Sequence, residues 1–245
     1  MDFSVSYIYG EAKTLCKKHG LAILALVIIT FIVSVALMYL TMPEGYYETY
    51  MRAMEGNAHA LKRFQQMGPN VFCTIAQYIV SFFLSAVLYR ALIGYTRGRE
   101  MTLFDAFKVP AMTFLKFVGT MIVYVLAIVV GLVCLIIPGV YVAVRLIWAT
   151  MYIVEYPEAS IKDAIVWSWN ATKGHWMDLF ILFVVALIAV IAAVFLTAIL
   201  GALGAISDIL AIVAIIVGVA AMLGIIVMVY FAQAKTYCEL TQFGK

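Results

Sequence analysis

Residues Gly131–Trp176 read GLVCLIIPGVYVAVRLIWATMYIVEYPEASIKDAIVWSWNATKGHW. An apolar run ends at Pro138-Gly139, a second apolar run carries one charge, Arg145, and an aromatic segment of mixed charge closes the stretch. Proline followed by glycine marks a turn. The pattern therefore predicts a transmembrane hairpin that feeds a helix lying on the membrane surface. The second limb, Val140–Val154, has only 15 residues. At 1.5 Å per residue that is roughly 22 Å, short of the hydrocarbon layer. Either the bilayer thins there, or the helix runs on through Glu155 and Tyr156 until Pro157 interrupts it.

The whole composition agrees with a membrane reading. Hydrophobic residues make up 66% of the 245 and charged residues only 12%, against about 25% charge in a soluble domain. A sphere of this size has too little interior to hide so much apolar surface, so much of it must face lipid. The formal net charge of +3 is too small to argue for nucleic acid. Cys16, Cys73, Cys134 and Cys238 are scattered in or near apolar runs without a CxxC or Cys/His pairing. They are read as small buried thiols, neither metal ligands nor disulfide partners. His19, His59 and His175 are equally dispersed, so no metal site or cofactor is expected.

Working outward, the hydropathy predicts an all-α integral membrane protein, a single polytopic domain over residues 1–245. Its six spans are expected near 21–42, 71–89, 117–137, 140–156, 179–200 and 209–231. The uncharged run after Lys17, Lys18 and His19 is too long for a secretory signal and is read as a retained first helix. Between the first two spans, Tyr47, Tyr50, Met51, Met54, Leu61 and Phe64 recur at helical spacing. They suggest a helix in the outer interface, broken at Gly56-Asn57. Thr102-x-x-Asp105-Ala106 and Ser160-x-x-Asp163-Ala164 match 58 residues apart. Each is a helix-capping pattern: the hydroxyl accepts from a free amide, and the carboxylate suits the positive helix end. Each precedes an apolar hairpin. The chain is thus expected to be three hairpins, each preceded by an amphipathic helix on the cytoplasmic side, in a weak internal repeat.

Basic residues set the orientation. With the N-terminus inside, the inner segments hold twelve lysines and arginines and the outer ones three, Arg52, Lys62 and Arg63. That bias places both termini in the cytoplasm.

Polar residues within or beside the spans have two readings each. Arg90 can end its span and reach the headgroups. Thr74, Gln77, Ser81 and Ser85 share a helical face, which either packs on other helices or lines a water-filled path. Arg145 either snorkels outward or pairs with Asp208, the only charge between Asp178 and Lys235. Ala214, Gly218, Ala221 and Gly224 would let a neighbouring helix come close.

The order Ile-Ile-Pro138-Gly139, Arg145, Ala164, Ser168, Lys173-Gly174 and Trp176 resembles a bacterial membrane family. It is the membrane domain found fused to some glycerophosphodiester phosphodiesterases, with stand-alone multi-pass relatives. The resemblance covers about residues 130–180. It implies an integral protein of the cytoplasmic membrane. The chain has no phosphodiesterase domain, so the resemblance carries no enzymatic activity.

The expected function is therefore non-catalytic: an accessory or scaffold module that binds membrane lipids, a membrane-protein partner or a second copy of itself. Lys17, Lys18, Arg97, Arg99, Lys116, Trp169, Lys173 and Trp176 are the candidate headgroup contacts. The alternative is a transporter or channel subunit using Arg145, Asp208 and the Gln77/Ser81/Ser85 face. An intramembrane enzyme would draw on Glu155, Asp163, His175 and Asp178, whose mutual geometry sequence does not give.

Overall fold

A computed structural model describes residues 3–67, 71–202 and 208–243; the side chains at 200–202, 208–211, 214 and 243 lie outside that description. The described residues form eleven helices: α1 (Val5–Thr41), α2 (Tyr46–Met54), α3 (Ala58–Gln66), α4 (Val71–Thr96), α5 (Leu103–Phe107), α6 (Ala111–Cys134), α7 (Ile136–Leu146), α8 (Trp148–Glu155), α9 (Ile161–Ala171), α10 (Trp176–Ala202) and α11 (Asp208–Phe243). Six segments are long and apolar enough to cross a membrane, with α7 and α8 counted as one 20-residue span, Ile136–Glu155. The chain is accordingly consistent with a multi-pass membrane protein.

The chain falls into two compact units, one of residues 1–26 and 86–245 and one of residues 27–85. In the smaller unit Gly56 takes a positive φ of 86° and ends α2, and Asn57 caps α3. The Asn57 side chain accepts from the N–H groups of His59 and Ala60. The rings of Tyr46 and Tyr50 both pack on Phe64. The expected break at Gly56-Asn57 is thus present, and the aromatic spacing makes one cluster. On α4, Gln77, Ser81 and Ser85 are half-buried whereas Ile75, Tyr78 and Ile79 are exposed.

The larger unit holds the core. The second half of α4 (Val87, Leu92), α8 (Met151, Ile153) and the end of α11 (Phe231, Tyr237, Leu240) are almost fully buried. Both capping patterns form complete boxes. Thr102 accepts from Asp105 N–H and Ser160 from Asp163 N–H, and each aspartate accepts from the cap residue's own N–H in return. Ala106 and Ala164, one position further on, are wholly buried. The two boxes have the same effect: they start a helix at a fixed point and turn an alanine onto the core.

Glycine lets helices come close at α6–α7 and at α10–α11. A Cβ on Gly131 would stand 2.7 Å from Gly139 Cα, and one on Gly139 would stand 2.9 Å from the backbone nitrogen of Leu132. So α6 and α7 touch backbone to backbone beside their turn. Between α10 and α11 a Cβ on Gly218 would meet Thr197 at 2.8 Å, the close approach its sequence neighbourhood suggested; Gly224 faces open space.

The hairpin turn is not at Pro138-Gly139. It falls at Leu135, the single extended residue between α6 and α7, with φ −172° and ψ 157°. Pro138 instead lies in the first turn of α7. There a missing N–H costs nothing, because the first four amides of a helix have no partner within it. This adds four residues to the limb expected from Val140 and removes its apparent shortness. Other helices also outrun their expected spans. The basic N-terminal stretch is continuous with the first apolar run in α1, α4 continues through Arg90, and α11 runs three turns past Phe231.

Candidate functional site

Among the described residues of the larger unit, two polar junctions and an apolar cavity border the α7–α8 limb.

The first junction is built on Arg145, which is 5% exposed. Its Nε donates to Thr172 Oγ1 at 3.1 Å and its Nη1 to Tyr141 OH at 2.7 Å. Its Nη2 donates to the backbone oxygen of Trp169. The guanidinium lies over the Trp169 ring, 4.0 Å from its centroid. Trp169 O belongs to the last turn of α9, where carbonyls lack helical partners and the helix dipole is negative. Arg145 therefore caps the C-terminal end of α9. In the other direction, Ser168 Oγ donates to the backbone oxygen of Arg145 at 2.6 Å. That hydroxyl reaches into the helical ladder just before α7 breaks from α8 at Ile147, and side-chain insertion is an ordinary cause of such breaks. Ala164 and Ser168, both wholly buried, are small enough to let α9 press this closely.

The pairing expected of Arg145 with Asp208 is not among these contacts; the Asp208 side chain lies outside the described residues. Snorkelling to the outer headgroups does not describe Arg145 either. A buried arginine with every nitrogen donating to α9 or to Tyr141 is held inside the bundle.

The second junction is built on Glu155, the last residue of α8, whose side chain is 3% exposed. Arg97 approaches through Nε at 2.5 Å from Oε1 and Nη2 at 2.8 Å from Oε2. Arg99 adds a contact to Oε1 at 3.3 Å, and Tyr237 OH donates to Oε2 at 2.8 Å. Arg97 Nη2 also donates to Thr241 Oγ1. Burial is the largest single influence on the Arg97 pKa and lowers it, but hydrogen bonding and charge from Glu155, with charge from Cys238 and Tyr156, together outweigh it and hold the pKa above its ordinary value. Three chain segments, the stretch after α4, α8 and the end of α11, thus meet on one carboxylate. Trp167 of α9 stacks on Tyr152 and meets Tyr237 edge-on.

Of the expected headgroup contacts, Arg97 and Arg99 are drawn to Glu155. Lys116 turns to the loop before α9, where its Nζ donates to Pro157 O at 2.6 Å and Ala159 O at 3.0 Å. Trp169 packs on Arg145, and Trp176 meets Tyr141 edge-on. Lys17, Lys18 and Lys173 are exposed. Asp163 is a cap residue; His175 Nδ1 lies 3.4 Å from Asp178 Oδ2. Among the described residues no group of three or more His, Cys, Asp or Glu side chains could hold a metal ion.

Sequence reasoning missed Tyr237 as a partner of Glu155 and Thr241 as a partner of Arg97. Their signal was present: Ala234, Tyr237, Cys238 and Thr241 recur at helical spacing beyond the expected end of α11.

The cavity has a volume of about 450 Å³ and lies among α1, α6, α7, α8, α10 and α11. Ile8, Val144, Leu182, Ala186 and Val229 are representative of its wall. The polar ends of two wall tyrosines are spent on the wall's own backbone: Tyr9 OH donates to Leu182 O and Tyr124 OH to Ala143 O. Thr236 likewise donates to Ala232 O. What remains to meet an occupant is mostly hydrocarbon. Trp148, also on the wall, has a buried indole N–H without a hydrogen-bond partner among the described residues.

No family model, no curated protein and no solved structure matches this chain.

Proposed function

We propose that this chain is a non-catalytic integral protein of the cytoplasmic membrane that binds lipid, serving membrane partners as an accessory module. The apolar cavity carries this reading. Its volume lies within the range of ligand pockets, about 300–1,000 Å³. A space of that size with a mostly hydrocarbon wall suits an acyl chain. Its polar lining atoms are largely satisfied internally, so a charged or hydrogen-bonding substrate finds little to hold it. The exposed Lys17, Lys18 and Lys173 suit anionic headgroups, and Arg97, Arg99 and Lys116 serve internal structure. The resemblance to phosphodiesterase-associated membrane domains supports a membrane module of this kind.

Orientation and architecture follow the basic residues. Both termini are cytoplasmic, and three hairpins each follow an inner amphipathic segment, the first continuous with α1. The channel or transporter reading leaned on Arg145 as an available charge. Its donors are engaged with α9 and Tyr141, so that reading loses its main support.

Lipid analysis of gently purified protein tests the proposal. Ala186→Phe combined with Val144→Phe fills the cavity and is expected to lower co-purifying lipid at least several-fold while the protein stays monodisperse. Equal lipid retention in the filled variant would remove the cavity from this role.

A further inference from the structure

We infer that the tip of the α6–α7 hairpin ends inside the hydrocarbon of the bilayer and does not emerge into water on the far side. The tip is Leu132-Val-Cys-Leu-Ile-Ile137, six consecutive apolar residues, all exposed; Val133 and Ile137 are 82% and 80% exposed. Between Lys116 and Arg145 there is no charged residue, and the polar side chains are Thr120, Tyr124 and Tyr141. Each of the three hydroxyls is spent nearby: Thr120 donates to Lys116 O, Tyr124 to Ala143 O, and Tyr141 accepts from Arg145. A turn in water would ordinarily carry glycine, asparagine, aspartate or serine. The connection between α1 and α4 does: it contains Gly45, Gly56 and Asn57, with the charged Glu44, Glu48, Arg52, Glu55, Lys62 and Arg63 beside them.

The turn residue is paired on both sides, whereas the N–H groups of Ile136 and Ile137 open α7 without helical partners, which sets the tip near the far edge of the hydrocarbon. Lipid tolerates only backbone whose polar groups are satisfied internally. Here one residue, Leu135, is outside the helices. Its N–H donates to Gly131 O at 3.0 Å, and its carbonyl accepts from Gly139 N–H at 3.4 Å. Pro138 has no N–H to satisfy. Gly131 and Gly139 let the limbs close on each other directly beneath the turn, so the tip is narrow.

The limb lengths agree. Lys116 Nζ binds Pro157 O and Ala159 O, so both limbs leave one level, the charged level of Lys116 and Glu155. From there to Leu135 is 19 residues on one limb and 20 on the other. At 1.5 Å per residue that is about 28–30 Å. The hydrocarbon is about 30 Å thick and the headgroup regions extend the bilayer to about 40–45 Å. Any tilt shortens the reach. A hairpin starting at the inner boundary therefore stops at or before the far boundary, among acyl chains, and the occupant of the exposed tip is lipid hydrocarbon.

Cys134, at the tip and exposed, is a built-in reporter. In a Cys16→Ala, Cys73→Ala, Cys238→Ala background, an environment-sensitive fluorophore is attached to Cys134 in detergent and the protein is returned to phosphatidylcholine vesicles. The reference probe is His59→Cys in the same background with Cys134→Ala. Lipids brominated on their acyl chains are expected to quench the Cys134 probe several-fold more than aqueous iodide does. The reference should show the reverse order. Iodide quenching of the Cys134 probe equal to the reference overturns the inference. So does protection from both quenchers with Cys134–Cys134 cross-linking, which would mean a second copy covers the tip. A second variant keeps the native cysteines: Ile136→Lys is expected to cut the yield of membrane-inserted, monodisperse protein several-fold, and an unchanged yield counts against a submerged tip.

Discussion

Arg145 and Glu155 stand on the same limb, each almost wholly buried, yet their charges are held in different ways. Arg145 is held by one helix end: Thr172, the Trp169 carbonyl and ring, and Tyr141 nearby on its own helix. Glu155 is held by cations and a phenol from Arg97, Arg99 and Tyr237, 56 to 82 residues away. A cation can rest on helix carbonyls, which gather at every C-terminal end with the dipole in its favour. A carboxylate has no such supply here and is met by arginines, whose forked donors suit it. The Arg145 junction fastens α9 to its neighbour in the chain. The Glu155 junction ties together segments far apart in sequence.

The largest expected effect is at Glu155. Glu155→Ala leaves the half-buried Arg97 facing an apolar gap, with an expected loss of about 3–5 kcal/mol, read as the thermal midpoint in detergent or nanodiscs. Glu155→Gln with Arg97→Gln removes both charges and should recover part of that loss. A double variant no better than Glu155→Ala would mean that charge balance is not what holds the junction.

Next comes Arg145. Arg145→Leu uncaps α9 and is expected to cost about 2–3 kcal/mol, in the range for stranding buried hydrogen-bonding groups. Arg145→Lys keeps the charge but loses the fork, and should fall between wild type and Arg145→Leu. The comparison sharpens with Asp208→Asn. If Arg145 needs only α9 and Tyr141, the two substitutions add to within about 0.5 kcal/mol. A larger coupling would restore the ion pair read from the sequence.

Smaller effects belong to the caps that position the junctions. Ser160→Ala should cost about 1 kcal/mol by loosening the start of α9, and Thr102→Ala a similar amount. Hydrogen bonds from Lys108 and then Thr102 hold the Asp105 pKa below its ordinary value, and hydrogen bonds from Ser160 do the same for Asp163. A carboxylate with a depressed pKa contributes stability that is present above its unfolded value, near 4, and is lost as pH falls through its folded value. Acidification below about pH 4 should therefore lower the thermal midpoint, and less so in Asp105→Asn/Asp163→Asn. Identical acid profiles in the two proteins would dismiss the caps as the cause.

Much of the fold was legible in the chain. The six apolar segments, the break at Gly56-Asn57 and both capping boxes are local features. A run of 20 apolar residues or a hydroxyl three positions before an aspartate acts on its own neighbourhood, so its outcome needs no knowledge of the remaining chain. The turn at Leu135 was less legible, because proline is as acceptable in the first turn of a helix as in a loop. Cys134 was read as a buried thiol and is exposed at the tip.

Partner choice belongs to the tertiary structure. Lys116, Arg97 and Arg99 look like a basic rim in sequence, but two carbonyls and Glu155 face them once the helices are packed. Arg145 looks in need of a counter-ion until α9 is laid beside it. Hydropathy and capping act along a few residues and were set by the chain itself. Which donor meets which acceptor depends on how each helix is rotated and where it crosses the next, and only packing the helices together settles that.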